Sequence, residues 1–161
     1  MLESNLYKII DDYLPVSDYE SLQNHCKNTQ YNVNESDILD ETASDKAVSH
    51  LDIFDPQLKQ LFPTEIEGKK LWRAYINYYA PNEPGNIFHR DSEKPDDITL
   101  LYYPCPTYDI NEGGATELII CDEILGVRYK ANRCLIFKSN ILHRATSFQT
   151  KQRFTFALNY I

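Results

Sequence analysis

Long apolar runs are missing from this sequence of 161 residues. No stretch reaches the length and apolarity of a membrane-crossing helix, which argues against a helical span. A basic excess is missing too. Sixteen Lys and Arg stand against 24 Asp and Glu, a net charge of -8. Such a surface repels phosphate backbones, so a broad nucleic-acid groove is not expected. Cysteine is sparse: Cys26, Cys105, Cys121 and Cys134 form no CxxC pair, which excludes a zinc ribbon or a thioredoxin-type motif. The opening MLESNLYKIIDDYLP has neither the basic start nor the apolar stretch of a signal peptide. The expectation is a cytoplasmic protein with reduced thiols. Internal repeats and low-complexity segments are also lacking. This length suits one domain with a sizeable core and leaves no room for a second of ordinary size.

What is present divides by character. Residues 1–68 read as a helical and irregular support, and residues 69–161 as a β-rich core. Ser17-Asp18-Tyr19-Glu20 has the S-x-x-E pattern of a capping box. Tyr19, Leu22 and Cys26 then recur at helical spacing and predict one apolar stripe packed on a sheet. DPQLKQLF (55–62) predicts a second short helix. Residues 32–47 are polar and acidic and read as an exposed loop, a candidate lid. From residue 71 onward, LWRAYINYYA, NIFHRD, ITLLYYPC, GGATELIIC, GVRYKA, RCLIFKS, ILHRATSF and RFTFALNYI read as about eight short strands separated by turn signals. That spacing predicts a β-sandwich or barrel.

Histidine is scarce, with four in the chain. His25 beside the helical stripe and His50 in an unpatterned segment have no partner pattern. His89 and Asp91 are two apart, so in an extended chain they face one side and Arg90 the other. With His143 as a third corner, two imidazoles and one carboxylate make the facial triad of a non-haem iron site, with positions left open. H-x-D alone is a weak signal. The last strand strengthens it. In RFTFALNYI, Phe154, Phe156, Leu158 and Tyr160 make a core face, while Arg153, Thr155, Ala157 and Asn159 face the other way. A buried arginine is costly unless paired. Either one of the chain's own carboxylates pairs with Arg153, or an exogenous carboxylate does so by a two-pronged contact.

In order, YYAPNEPGNIFHRD, ITLLYYPCPTYDINEGGATELII, NRCLIFKSNILHRATSF and QRFTFALNY resemble the double-stranded β-helix (jelly-roll, cupin-like) of the 2-oxoglutarate and Fe(II)-dependent dioxygenases. Within that superfamily they are similar to the prolyl 4-hydroxylase-like branch. The resemblance runs from about Trp72 to Tyr160. It implies a mainly β fold with N-terminal helices. It also implies iron held by His89, Asp91 and His143, and 2-oxoglutarate gripped by Arg153 with Thr155 beside it. Tyr103 matches a tyrosine that hydrogen-bonds the co-substrate, and Tyr79 another pocket tyrosine, the alternative for Tyr79 being ordinary core. Thr99, facing the same way as Tyr103, is a further pocket candidate. O2 is the second co-substrate, and ascorbate a candidate supporting reductant.

The chain departs from the branch at YYPC, where Tyr-Leu-Asn is usual, and at Asn159, where tryptophan is common. The second arginine of the AlkB-like branch is absent, with Leu158 and Asn159 in its place. The implied activity is hydroxylation of a C–H bond, with a prolyl residue of a protein or peptide as first substrate. The alternatives are a free amino acid or small metabolite, and a non-catalytic metal-binding jelly-roll module. Oligomeric state is not legible.

Overall fold

The structure, a computed structural model, describes residues 6–35, 46–84 and 87–161. Among them are eleven strands and two α-helices. The strands are β1 (Tyr7–Ile10), β2 (Asn32–Glu35), β3 (Lys46–Leu51), β4 (Glu65–Ile66), β5 (Lys69–Tyr79), β6 (Ile98–Tyr103), β7 (Thr116–Ile120), β8 (Glu123–Val127), β9 (Arg133–Lys138), β10 (His143–Ala145) and β11 (Arg153–Tyr160); the helices are α1 (Val16–Asn28) and α2 (Pro56–Leu61).

Two antiparallel sheets form. The larger has the order β1-β9-β6-β11-β5-β3-β2, with β4 added on β5; the smaller has the order β10-β7-β8. β11 lies between β6 and β5 and is buried along all eight residues. Its two faces differ as the alternation predicts. Phe156 meets Phe62 and Tyr102 at ring-centroid distances of 5.9 and 6.1 Å in the main core. The odd-numbered residues face the space between the sheets, where Arg153, Thr155 and Ala157 line a cavity.

The helices cover the core face. α1 buries Leu22 and Cys26, with Tyr19 packed beside them, as the stripe predicts. Its start differs from the expected capping box. The helix begins after Pro15, whose ψ of 148° is extended, so Ser17 already lies inside the first turn and makes no cap. α2 has the expected position, and the Asp55 side chain accepts from the Gln57 N–H at its start.

The N-terminal part corrects the sequence reading. It supplies β1, β2 and β3 to the large sheet rather than only helix and loop. These strands are short; β1 and β3 owe their conformation to pairing with β9 and β5, partners far away in sequence, and β2 adds onto the edge of β3. The proposed lid 32–47 begins and ends in strand; its middle, residues 36–45, lies outside the described residues. NIFHRD is not a strand. Among its described residues only His89 makes a ladder contact, an isolated bridge. The strand read at GVRYKA instead runs over Glu123–Val127. A hairpin turn at Cys121–Asp122, both with positive φ (51° and 64°), sets its start. Such turns usually announce themselves by Asn-Gly or Asp-Gly. Here neither residue is glycine or asparagine, so the signal was absent.

Candidate metal centre

His89, outside either sheet, pairs directly with His143 of β10. Each backbone N–H donates to the other's carbonyl, at 3.0 and 2.9 Å. This pairing puts both side chains on one face, with ring centroids 4.5 Å apart. Each Nδ1 contacts the carbonyl two residues earlier, Ile87 O at 3.1 Å and Ile141 O at 2.9 Å. A carbonyl only accepts, so Nδ1 carries the hydrogen and Nε2 keeps its lone pair. Both Nε2 atoms face Asp91 Oδ1, at 3.6 and 3.5 Å.

Asp91 is held by its own N–H donating to Ser139 O at 3.0 Å. Its side chain is 4% exposed. The two oxygens have different surroundings. Oδ2 accepts from Thr99 Oγ1 at 2.7 Å and Asn159 Nδ2 at 3.1 Å. Oδ1 is buried and has no hydrogen-bond partner. Burial alone would raise this carboxyl; with no metal bound, positive charge on the His143 and His89 imidazoles outweighs it and holds the group well below the usual carboxylate range, whereas the neutral rings leave their Nε2 lone pairs to a metal. The ligand atoms of the three residues lie within 4.8 Å of one another. An orphaned carboxylate oxygen facing two imidazole nitrogens with fixed tautomers fits a divalent transition metal. His25 and His50, both exposed, take no part in this cluster.

β5 and β11 build the wall beside it. Their register pairs Arg153 with Tyr79, Thr155 with Asn77, Ala157 with Tyr75 and Asn159 with Arg73. Arg153 is 0% exposed. Its Nε donates to Gly114 O (3.1 Å), one Nη to Thr155 Oγ1 (2.8 Å) and the other to Thr116 Oγ1 (3.2 Å). The rings of Tyr79, Tyr129 and Tyr103 surround the guanidinium at 5.3, 5.1 and 5.9 Å, a cation–π arrangement. Among the described residues no carboxylate comes within 4.0 Å of it. The alternative of an internal ion pair has no support there. Thr116 also accepts from the Tyr103 hydroxyl at 2.7 Å. Burial raises the Tyr103 phenol and the Arg153 cation pulls it back only in part, so it stays a neutral donor.

The cavity is lined by His89, Asp91, His143, Arg153, Thr155 and Tyr79 among the expected residues. Tyr103 and Thr99 stand one layer behind. Tyr103 props Thr116, and Thr99 props Asp91. The sequence reading missed Thr116, whose role follows only from sheet packing, and Asn77. Asn77 is two residues before Tyr79 on the same strand face, a spacing that could have revealed it. Its buried Oδ1 has no partner.

Gly114 is the hinge of the arginine clamp. Its φ is +78°, and a Cβ there would meet the Phe148 ring at 2.2 Å. Gly114→Ala is expected to destabilise by about 3 kcal/mol, from left-handed strain and overpacking together. Thermal unfolding should read this as a drop of roughly 6–12 °C.

Two antiparallel sheets enclosing a histidine–aspartate–histidine cluster and a buried arginine define the class: the fold is the double-stranded β-helix of the 2-oxoglutarate-dependent oxygenases. No family model matches the chain, and no curated protein matches it. Solved structures do. A prolyl-4-hydroxylase of Pseudomonas putida superposes with a TM-score of 0.75 at 14% identity, over 98% of this chain and 92% of that one. A Trichoplax adhaerens prolyl hydroxylase, in complex with a hypoxia inducible factor oxygen degradation domain peptide fragment, gives 0.71 at 16% identity, over 98% and 84%. The viral collagen prolyl hydroxylase of Paramecium Bursaria Chlorella virus-1, in a 2OG complex, gives 0.66 at 13% identity, over 98% and 96%. Likeness at such low identity establishes the fold.

Proposed function

We propose that this chain is an iron(II)- and 2-oxoglutarate-dependent oxygenase that hydroxylates a C–H bond. One observation carries the reading: an orphaned carboxylate oxygen between two imidazoles shares a cavity with a buried arginine that has no acidic partner among the described residues. A structural metal needs no such arginine. His89, Asp91 and His143 would hold iron, and Arg153 the far carboxylate of 2-oxoglutarate. Iron with 2-oxoglutarate and O2 supplies the oxidising chemistry.

The protein's own part is positioning. Arg153 Nε is tied to Gly114 O, which fixes the guanidinium plane. The hydroxyls of Thr155 and Thr116 accept from the arginine, so each keeps its own O–H to donate to the same carboxylate. Asn77, paired with Thr155, can present its NH2 there by turning its amide. Tyr75, Leu101 and Ala157 line the rest and exclude water. Low dielectric strengthens every charge contact inside.

A prolyl residue of a peptide or protein is the first substrate reading, supported by the fold shared with prolyl hydroxylases and by the peptide held in one of them. A free amino acid or small metabolite is the second. No described helix is long and apolar enough to cross a membrane.

The test is an anaerobic titration of metal-free protein with Fe(II), then 2-oxoglutarate, followed by visible absorption. A weak charge-transfer band should grow with the keto acid. Iron binding without the band would favour a non-catalytic metal module; binding of neither would defeat the reading.

A further inference from the structure

Among the described residues, Thr99 and Asn159 both donate to the same oxygen of Asp91, Oδ2. Thr99 Oγ1 donates to Oδ2, since a carboxylate only accepts. Thr99 has then spent its one proton, so in its 2.8 Å contact with Ser139 Oγ it is the acceptor. Asn159 Nδ2 lies 3.1 Å from Oδ2 and 3.2 Å from Thr99 Oγ1. The other end of that amide, Asn159 Oδ1, accepts from Arg73 Nε at 3.1 Å. This contact fixes the amide orientation, because a guanidinium only donates. Two donor chains therefore converge on Oδ2: Ser139 to Thr99, and Arg73 to Asn159. The second begins outside the core. Arg73 lies over the ring of Tyr75, which lines the cavity, at 4.8 Å, and over the half-exposed Trp72 at 5.5 Å.

We propose that Arg73 and Asn159 form a strut that makes Asp91 a one-oxygen ligand. With Oδ2 occupied by two donors, only Oδ1 can turn to the metal, and a second carboxylate oxygen is kept off it. Asn159 and Arg73 are positioning residues here: they act through Asp91 and reach no ligand themselves. The inference rests on the metal reading of the site. It assigns a purpose to Asn159, where the resembled branch has an indole that could not bridge an arginine and a carboxylate.

The test titrates metal-free protein with Co(II), following its visible d–d bands, which report coordination number as well as affinity. Asn159→Leu, close in size but without a donor, is expected to weaken Co(II) binding 10- to 100-fold, as loss of outer-shell partners does, and to shift the band intensity as Oδ2 becomes available. Asn159→Ala is the second variant, and unfolding temperature is checked for both. Arg73→Ala should give a smaller loss, and Arg73→Ala added to Asn159→Leu should give none beyond Asn159→Leu alone. That non-additivity marks action through Asn159. Wild-type affinity in a folded Asn159 variant overturns the strut, and so do additive losses. Failure of the wild type to bind Co(II) or Fe(II) would overturn the metal reading as well, a distinguishable result.

Discussion

Arg153→Met is expected to abolish 2-oxoglutarate binding while leaving the ligand-free protein as stable as the wild type, or more so. The guanidinium sits at 0% exposure with no carboxylate among the described residues to balance it. Burying such a charge costs free energy, and replacing buried charge by apolar volume is often neutral or stabilising. Against that gain stands the Gly114 carbonyl, which loses its donor at a cost of about 1–3 kcal/mol. The two effects nearly cancel. Binding has no such compensation. Loss of one partner of a buried charge pair costs about 2–5 kcal/mol, roughly 30- to several-thousand-fold in Kd. Thermal unfolding with and without 2-oxoglutarate checks both halves. The ligand-free transition should stay within about 4 °C of wild type or rise, and the rise on adding 2-oxoglutarate should vanish. Arg153→Lys should fail almost as fully, because a point charge cannot make the fork to Thr155, Thr116 and a carboxylate together. A variant that binds 2-oxoglutarate normally would remove Arg153 from the site.

Asp91→Asn and His143→Ala should each lower metal affinity by more than about 100-fold, beyond what outer-shell partners give. Asp91→Asn is the cleaner of the two. Its carbonyl oxygen can still accept from Thr99 and Asn159 at the Oδ2 position. Its NH2 would then face the two Nε2 lone pairs, where Oδ1 now has no partner. The variant should fold and lack only the charge. Wild-type protein at a free metal concentration of 100 Kd gains about 2.7 kcal/mol, a rise of roughly 5–11 °C. Calorimetry should find that rise missing in both variants. If Asp91→Asn kept it, Asp91 would not be a metal ligand.

Much of this was legible along the chain. Alternation in RFTFALNYI separates Phe154 and Phe156 from Arg153 and Thr155, and the structure buries each set on the expected side. Two-residue spacing put His89 beside Asp91, and a stripe of three side chains placed α1. Other features had no local signature. β1, β2 and β3 are too short to declare themselves; pairing with distant strands decides β1 and β3, and β2 adds onto β3. The Cys121–Asp122 turn puts a cysteine, which rarely takes positive φ, at its first position and has no glycine to mark it.

The sequence by itself determined the chemistry available: two imidazoles, a carboxylate and an arginine within a mainly β chain. Side-chain direction follows from period-two geometry, which is local. Only the tertiary structure decided which partners those groups meet. The β5–β11 register set Asn77 against Thr155 and Arg73 against Asn159. The bridge between His89 and His143 aimed both Nε2 atoms at one oxygen of Asp91. Sheet packing moved Thr99 and Tyr103 one layer back and brought Thr116 forward. Register and sheet-on-sheet packing are long-range choices, fixed by the burial of whole faces rather than by any neighbouring residue.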